Sequence, residues 1–340
     1  MVALVIGSLA AIIMLQVFAL SEERKRSTTG AGDSVGNGAI GFHQMQRDIS
    51  HAGYGFGATS VFHCNVLWTL PSGGNIGTPV RLAPVAINPG TAIIPAADAN
   101  TDTLLVMFGN ANGQPQGNPI LGQSGSTYTV QMPSSFAVGD QVIAAPSACT
   151  TNLVLDRITA TTTSNVTAAT SGAGTALFNL GQSPSVLAYA IRGGNLTVCD
   201  YMANDCGVAA NAGNPAIWVP IAHNIVSMKA VYWRDTSMPM DGIPEAGAHD
   251  QTAPGSACAW ARISALSLAL VARNGEFSKD VVTVAAPTWS ENAAAPIVGT
   301  SGTLGPNTAA DEPWKHYRYK TFEAVIPMRN VGWMGVPQGC

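Results

Sequence analysis

Charge is what this sequence of 340 residues has least of, since only 11% of its residues are Asp, Glu, Lys or Arg. An average soluble domain has about 25%. The formal net charge is −4, so the chain has no basic surplus with which to hold nucleic acid. RNP-like, zinc-finger and helix-turn-helix patterns are missing as well. These absences exclude nucleic acid as an expected partner.

Motifs for catalysis and metal binding are also missing. H-E-x-x-H and G-x-S-x-G do not occur, and the cysteines include no C-x-x-C pair. One loop, residues 235–250, gathers the carboxylates of Asp235, Asp241, Glu245 and Asp250, and such hard oxygen ligands suit calcium. Their spacing matches no EF-hand and two prolines stiffen the loop, so a solvated loop is favoured over a calcium site. We expect no enzymatic activity, no metal and no cofactor.

Glycine and proline, in contrast, are plentiful, with 36 and 21 residues. Together with many Thr, Ser and Asn residues, they predict short strands joined by turns in the region after the first 54 residues. Eight segments have the composition or alternation of strands. They are residues 103–108, 127–131, 141–145, 153–161, 185–192, 225–233, 263–271 and 319–328.

The six cysteines are Cys64, Cys149, Cys199, Cys206, Cys258 and Cys340. An even number at scattered positions is typical of disulfides formed in an oxidising compartment, with free buried thiols as the alternative. Cys199 and Cys206 bracket only the six residues DYMAND. The spacing therefore favours this pair, which would close a small loop.

The N-terminal segment is the longest apolar run. Residues 1–20 (MVALVIGSLAAIIMLQVFAL) contain no charged side chain, and the run ends at SEERKR. Twenty helical residues rise about 30 Å, the thickness of a bilayer's hydrocarbon core. We therefore predict a helix that lies in a membrane or in the core of a filament. Its candidate contact residues are Met1, Leu4, Leu9, Ile13, Val17 and Leu20.

Two other interpretations of this run fit less well. A cleaved secretory signal has a basic stretch ahead of its apolar core, and the apolar run here starts without one. A simple single-span anchor stays open as an alternative. However, the basic residues that follow the run would place the next domain in the cytoplasm, which conflicts with disulfides.

The next segment, residues 27–54, continues the helix in amphipathic form. Its apolar residues recur at steps of three and four, which places them on one helix face that we expect to pack on a sheet. They are Val35, Ala39, Phe42, Met45 and Ile49. Glycine is frequent in residues 30–38, and each Gly costs about 1 kcal/mol in a helix relative to Ala. A bend or local unwinding is therefore expected there.

Several segments of the chain carry a resemblance to a known family. Residues 1–7 (MVALVIG) look like the second half of a prepilin signature, and residues 46–54 (QRDISHAGY) look like an RDIRxAGY segment at the end of the family's helix. Further matches follow in the family's order. They are DTLLV at 102–106, GDQVI at 139–143, VPIAHNIVSMKAVY at 219–232, WARISALSLAL at 260–270 and FEAVIPMRN at 322–330. The sequence thus resembles the PilW-type minor pilins of type IV pili.

One part of that family's pattern has no counterpart here. The cut glycine, the first aromatic residue and the glutamate near the start of the mature helix are missing, because the chain opens inside the mature pattern. We expect the basic leader to lie upstream of Met1. The expected organisation is an apolar helix with its basic flank at residues 1–26, an amphipathic helical half at 27–54 and a β-rich domain at 55–340.

The resemblance implies an α+β, type IV pilin-like fold, in which the long N-terminal helix packs on an antiparallel sheet with extended β and loop additions. It implies a structural subunit of a type IV pilus or related filament, assembled through the helix, that primes assembly at the tip. Expected partners are other pilin subunits, the inner membrane before assembly and a tip adhesin. The expected location is an inner-membrane precursor with a periplasmic domain, then an extracellular filament. A main shaft subunit and an anchored surface adhesin stay as alternatives.

The resemblance also orders the remaining cysteines. Cys64 and Cys149 each fall near a strand or a turn of the family, so they form the second expected disulfide. Cys258–Cys340 is the third.

Overall fold

A computed structural model describes residues 2–111, 113–291, 313–337 and 340, and within its first helix it leaves out the side chains of residues 2–4, 20, 23, 24, 26, 27, 31 and 33. That helix, α1, is Val2–His51, close to the predicted end at residue 52. Gly53 follows with a φ of 81°, the left-handed conformation that commonly ends a helix. Two short helices lie much later in the chain, α2 (Ala257–Ala261) and α3 (Arg329–Gly332).

Seventeen strands follow α1 within the described residues. They are β1 (Asn65–Leu67), β2 (Val80–Arg81), β3 (Val85–Ile87), β4 (Leu104–Phe108), β5 (Asn118–Ser124), β6 (Thr127–Val130), β7 (Gln141–Ala145), β8 (Leu153–Thr161), β9 (Asn165–Ala168), β10 (Ala176–Gly181), β11 (Ser185–Arg192), β12 (Asn195–Asp200), β13 (Val219–His223), β14 (Ile225–Arg234), β15 (His249–Asp250), β16 (Ile263–Arg273) and β17 (Tyr319–Pro327). All eight strands predicted from the sequence are confirmed, with ends that differ by two residues at most.

Six of these strands close into an antiparallel barrel. Its order is β8, β7, β10, β5, β6 and β9, and β9 pairs back with β8 to complete the ring. Closure leaves the barrel strands without free edges. The interior has its own apolar core, separate from the core of the rest of the molecule. This core consists of Tyr128, Val130, Phe136, Val142, Ala144, Ile158, Val166, Ala168 and Leu177.

The other strands form two further sheets. One has five strands in the order β13, β12, β11, β4 and β3, and the other has four in the order β15, β14, β16 and β17. Strand β1 pairs with β8 in parallel, and β2 pairs with β1. Buried polar groups join the two sheets, because Ile87 N donates to Tyr232 Oη (2.6 Å) and Ala230 N donates to Asp102 Oδ2 (3.0 Å).

The barrel is inserted between two neighbouring strands of the five-stranded sheet. Strands β4 and β11 pair with Ser185 opposite Phe108, and all six barrel strands lie between them in the sequence. The outgoing and returning chains run side by side. They are so close that a Cβ at Gly109 would lie 2.7 Å from the carbonyl oxygen of Leu180.

The predicted α+β, pilin-like fold is wrong. Strands hold 33% of the residues and helices 19%, so the molecule is mostly β. A closed six-stranded barrel also differs from one helix on one antiparallel sheet. The barrel strands β5 and β10 escaped prediction because their sequences (NPILGQS and ALFNLG) contain Gly and Asn and do not alternate. Strand β9 (NVTA) alternates, but it has only four residues. Their pairing in the closed barrel overrides this weak local preference.

The second half of α1 packs on β16 and β17 and also contacts β13 and β4. Met45 and Ile49 are fully buried, as predicted. Phe42 is half-buried, with its ring centroid 6.3 Å from that of Phe322. Val35 and Ala39 are exposed, so the predicted packing stripe is wrong in its upstream part.

Glycines explain this difference. A Cβ at Gly30 would lie 2.3 Å from Asn274 Oδ1, and a Cβ at Gly38 would lie 2.2 Å from the ring of Phe322. Gly41 is buried on the same face. Because these residues have no side chain, the helix backbone approaches the sheet closely there, and the β-branched and alanine side chains between them turn outward.

The predicted unwinding at residues 30–38 is wrong as well, because α1 is helical without interruption. The propensity cost of its glycines, about 1 kcal/mol each, is offset by the contacts that the close approach allows.

All three expected disulfides are confirmed, namely Cys64–Cys149, Cys199–Cys206 and Cys258–Cys340. The first ties the segment after α1 to the turn between β7 and β8, and the third ties α2 to the C-terminal residue. Such cross-links stabilise a fold by about 2–4 kcal/mol each.

The close approach of α1 to the sheet predicts opposite effects for two glycines. Gly38→Ala should lower the free energy of unfolding by about 1–3 kcal/mol, because the new methyl group overlaps the ring of Phe322. Gly36→Ala is the matched control, since no described atom lies within 4 Å of its Cβ position, and it should raise stability by up to about 1 kcal/mol. Urea unfolding of the purified variants measures both. Equal effects would contradict this packing.

Candidate assembly surface

The first half of α1 exposes an apolar surface on every side. Nine large apolar side chains there are more than half exposed, and they are Val5, Ile6, Leu9, Ile12, Ile13, Met14, Leu15, Val17 and Phe18. The least exposed is Ile13 at 53% and the most exposed is Phe18 at 73%. A helix that is apolar all round is normally buried, and exposed apolar patches mark contact surfaces. We name residues 5–18 the apolar segment.

The predicted contact residues of the helix belong largely to this segment. Leu9, Ile13 and Val17 are among its exposed side chains. Met1 lies outside the described residues, and so do the side chains of Leu4 and Leu20.

Within the described residues, no helix carries an apolar stretch long enough to cross a membrane. The described apolar run, residues 5–19, rises about 22 Å at 1.5 Å per residue, against about 30 Å of hydrocarbon core. This finding contradicts the prediction of an inner-membrane precursor.

A second exposed surface lies further along α1, on the side opposite the sheet. It consists of Gly32, Val35, Gly36, Ala39, Ile40 and His43, all exposed, and we name it the outward face. None of these residues is Asp, Glu, Lys or Arg, although the solvent side of a helix normally carries such residues. Ile40 is 63% exposed. The positions where Gly32 and Gly36 would carry a Cβ are open, so contacts with the described part of the chain do not require glycine there.

The C-terminal end of α1 is held by polar side chains. Asp48 is buried, and its Oδ2 accepts a hydrogen bond of 2.5 Å from Tyr189 Oη on β11. Asn330 Nδ2 donates to the carbonyl oxygens of His51 (2.8 Å) and Ala52 (3.1 Å). These carbonyls at the helix end lack partners within the helix. The two contacts therefore fix α1 to β11 and to α3.

These contacts give structural roles to two of the sequence motifs. Asp48 and Gly53 belong to the QRDISHAGY segment, and Asn330 ends the FEAVIPMRN segment. Sequence reasoning missed that the two segments meet. A signal was present, since an Asp beside Ile49 of the predicted buried face and an Asn shortly after a predicted strand are both suited to buried hydrogen bonds.

The acidic loop brings three of its four carboxylates together. Oxygen atoms of Asp235, Asp241 and Glu245 lie within 4.8 Å of one another, whereas Asp250 pairs with Arg234 at 2.6 Å. Asp235 is buried rather than solvated, in contrast to the prediction.

The loop's own groups satisfy these carboxylates. Asp235 accepts hydrogen bonds from the backbone N–H groups of Ser237, Asp241 and Gly242, and Glu245 accepts from Thr236 N at 2.5 Å. The cluster therefore closes the loop, and these bonds account for it without a ligand.

No protein-family model, curated protein or solved structure matches the chain.

The anchoring of α1 by Tyr189 predicts a pH-dependent loss of stability. Burial, followed by the carboxylate of Asp48, raises the pKa of Tyr189 well above its usual value. The free energy of folding that Tyr189 contributes is therefore fully present below pH 10, the usual pKa of a tyrosine in the unfolded chain. It is lost as the pH rises further. Tyr189→Phe should cost about 1–3 kcal/mol at pH 7.

Above pH 10 the difference in free energy of unfolding between the original chain and Tyr189→Phe should decrease by about 1.4 kcal/mol per pH unit. Urea unfolding between pH 7 and pH 11 measures this difference. Tyr54→Phe is the control, because Tyr54 Oη makes no hydrogen bond to a described residue, and it should have little effect at pH 7. A constant difference across this range would contradict the assignment.

Proposed function

We propose that the chain is a structural subunit of a type IV pilus or a related filament, and that α1 is its assembly element. The observation that carries the proposal is the exposed apolar segment, because the second half of α1 packs on the sheets whereas no described residue covers this part. Each such side chain contributes about 1.5–3 kcal/mol when it is fully buried. Burial of this surface therefore strongly favours association of the folded subunit with other apolar surfaces.

The geometry of the exposure favours several helical neighbours over one. A single partner with a groove covers one side of a helix, as in helix-in-groove recognition, but the apolar segment is exposed all round. Several identical or related apolar helices, packed as a bundle, cover every side. Gly7, Ser8, Ala10 and Ala11 are small enough to let such helices approach closely.

The outward face supports the same arrangement. Gly30 and Gly38 are explained by contacts within the chain, whereas Gly32 and Gly36 are not. Two exposed glycines four residues apart, flanked by Val35, form the small-residue spacing used where two helices pack closely. We propose that the apolar segment of a neighbouring subunit packs here.

The resemblance to PilW-type minor pilins supports a subunit that primes assembly at the filament tip, next to a tip adhesin. A main shaft subunit is the alternative. The proposal depends on the surface of α1 and on the motifs that hold its end, and it does not require a particular fold for the rest of the chain, since one function occurs on different folds.

A charge in the apolar segment is expected to block assembly. Leu9→Lys or Ile13→Lys would bury an unpaired charge among apolar helices, at a cost of several kcal/mol. This lowers incorporation about a hundredfold or more. The measurement is quantitative mass spectrometry of filaments sheared from cells that produce the variant. Leu9→Met is the matched control and should assemble normally.

The β-rich domain should be unaffected by these charges, which intact disulfides and unchanged protease resistance of the variant would verify. Normal incorporation of the lysine variants would overturn the proposal. Copy number distinguishes the two roles, because a priming subunit occurs a few times per filament and a shaft subunit occurs throughout.

The outward face is tested by adding bulk without charge. Gly36→Leu should leave the fold intact, since the space around it is open, but should reduce incorporation about tenfold by preventing close helix approach. Gly213→Leu is the control, because its surroundings are equally open and it lies outside α1, in the segment between β12 and β13. Equal incorporation of the two variants would remove the outward face from the proposed interface.

A further inference from the structure

A cavity of about 360 Å³ opens where the barrel joins the five-stranded sheet. Asn110 follows β4 and Gln182 precedes β11, so both belong to the two chain crossings into the barrel. Ser134, Asp140 and Asn179 line it from the barrel side. The cavity is thus built by the insertion itself.

An irregularity in β10 shapes the floor of the cavity. The register of β10 against β7 shifts between Asn179 and Gly181, and such bulges redirect side chains. Gly181 has a φ of 83°, and a Cβ there would lie 2.0 Å from Asn110 Oδ1. Glycine is therefore required at this point for the two crossings to meet.

The side chain of Asn179 is held in place by hydrogen bonds, one of them to the buried carboxylate of Asp140. Asn179 Nδ2 donates to Asp140 Oδ2 (2.8 Å) and to Ser135 O (2.9 Å), and Asp140 Oδ2 also accepts from Ala137 N (2.8 Å). Asp140 and Asn179 are only 7% and 4% exposed. The wall is therefore rigid before any ligand arrives, which lowers the entropic cost of binding.

Several polar groups that line the cavity keep hydrogen-bonding capacity for a ligand. Within the described part of the chain, the hydrogen bonds of Asp140 fall on Oδ2, those of Asn110 on Oδ1 and those of Gln182 on Nε2. Asp140 Oδ1 and Gln182 Oε1 are left as acceptors, and Asn110 Nδ2 is left as a donor. Ser134 Oγ, which has no partner among the described residues, serves as either.

This set of groups selects a class of ligand. The described lining contains no Lys, Arg or His, so it does not favour phosphate or carboxylate groups. Its polarity does not suit an apolar ligand, and its volume is at the small end of ligand sites. A set that contains both donors and acceptors matches the hydroxyl groups of a sugar, each of which both donates and accepts. We propose that this cavity binds one unit of a neutral saccharide.

The test uses the full chain with its disulfides, kept in solution by a detergent that contains no sugar headgroup. Saturation-transfer NMR and calorimetry follow the addition of glucose, galactose and N-acetylglucosamine, with sialic acid and glucose 6-phosphate as charged comparisons. At least one neutral sugar should bind saturably, with the charged sugars at least tenfold weaker.

Variants then place the binding in the cavity. Ser134→Trp should abolish it by filling the opening, and Gln182→Ala and Asn110→Ala should each weaken it by a few-fold to about tenfold. Thr159→Ala, an exposed change on β8 of the barrel, is the control and should bind as the original chain does. Unchanged unfolding midpoints confirm that the variants are folded.

Three results would overturn the inference. They are the absence of saturable binding for every neutral sugar, a preference for the charged sugars, and binding that Ser134→Trp leaves intact. None of these results bears on filament assembly, because the test does not involve the apolar segment.

Discussion

The close approach of α1 to the strands β16 and β17 is the constraint on which the functional surfaces depend. At Gly38 the helix backbone lies so near the ring of Phe322 that even a methyl group would overlap it. This contact fixes the rotation of the helix about its own axis. Once the glycine side faces the sheet, Val35 and Ile40 can only point away from it. The outward face is thus a consequence of packing on the opposite side.

The same constraint shows why hydrophobic periodicity located the helix but misplaced its buried side. Periodicity assumes that the buried face is the most apolar one, and for Met45 and Ile49 this holds. Before Met45, glycines form the face that packs on the sheet. Because glycine has no side chain, the pattern of apolar residues does not reveal this face. Glycine lowers helix propensity, yet here it is what allows the contact.

The strands, too, differ in how well their sequences predict them. Those that alternate or are rich in β-branched residues, such as β14 and β16, were predicted nearly to the residue. Strand β10 contains Asn179 and Gly181 and forms because it closes a ring with β5 and β7. Local sequence patterns do not predict such long-range pairing. They also do not predict the hydrogen bond between Asp48 and Tyr189, which are 141 residues apart.

The insertion of the barrel between β4 and β11 has a mechanical consequence. A subunit pulled along α1 passes tension through the bonds at the helix end, from Asp48 to Tyr189 on β11 and from Asn330 to the last carbonyls. The barrel chain leaves and returns through paired neighbours, Phe108 and Ser185, so force across that pair is carried by the ladder between β4 and β11. The Cys64–Cys149 disulfide and the pairing of β1 with β8 also link the segment after α1 to the barrel. Tension that follows the chain from α1 therefore reaches the barrel through these two links, and the barrel shares the load.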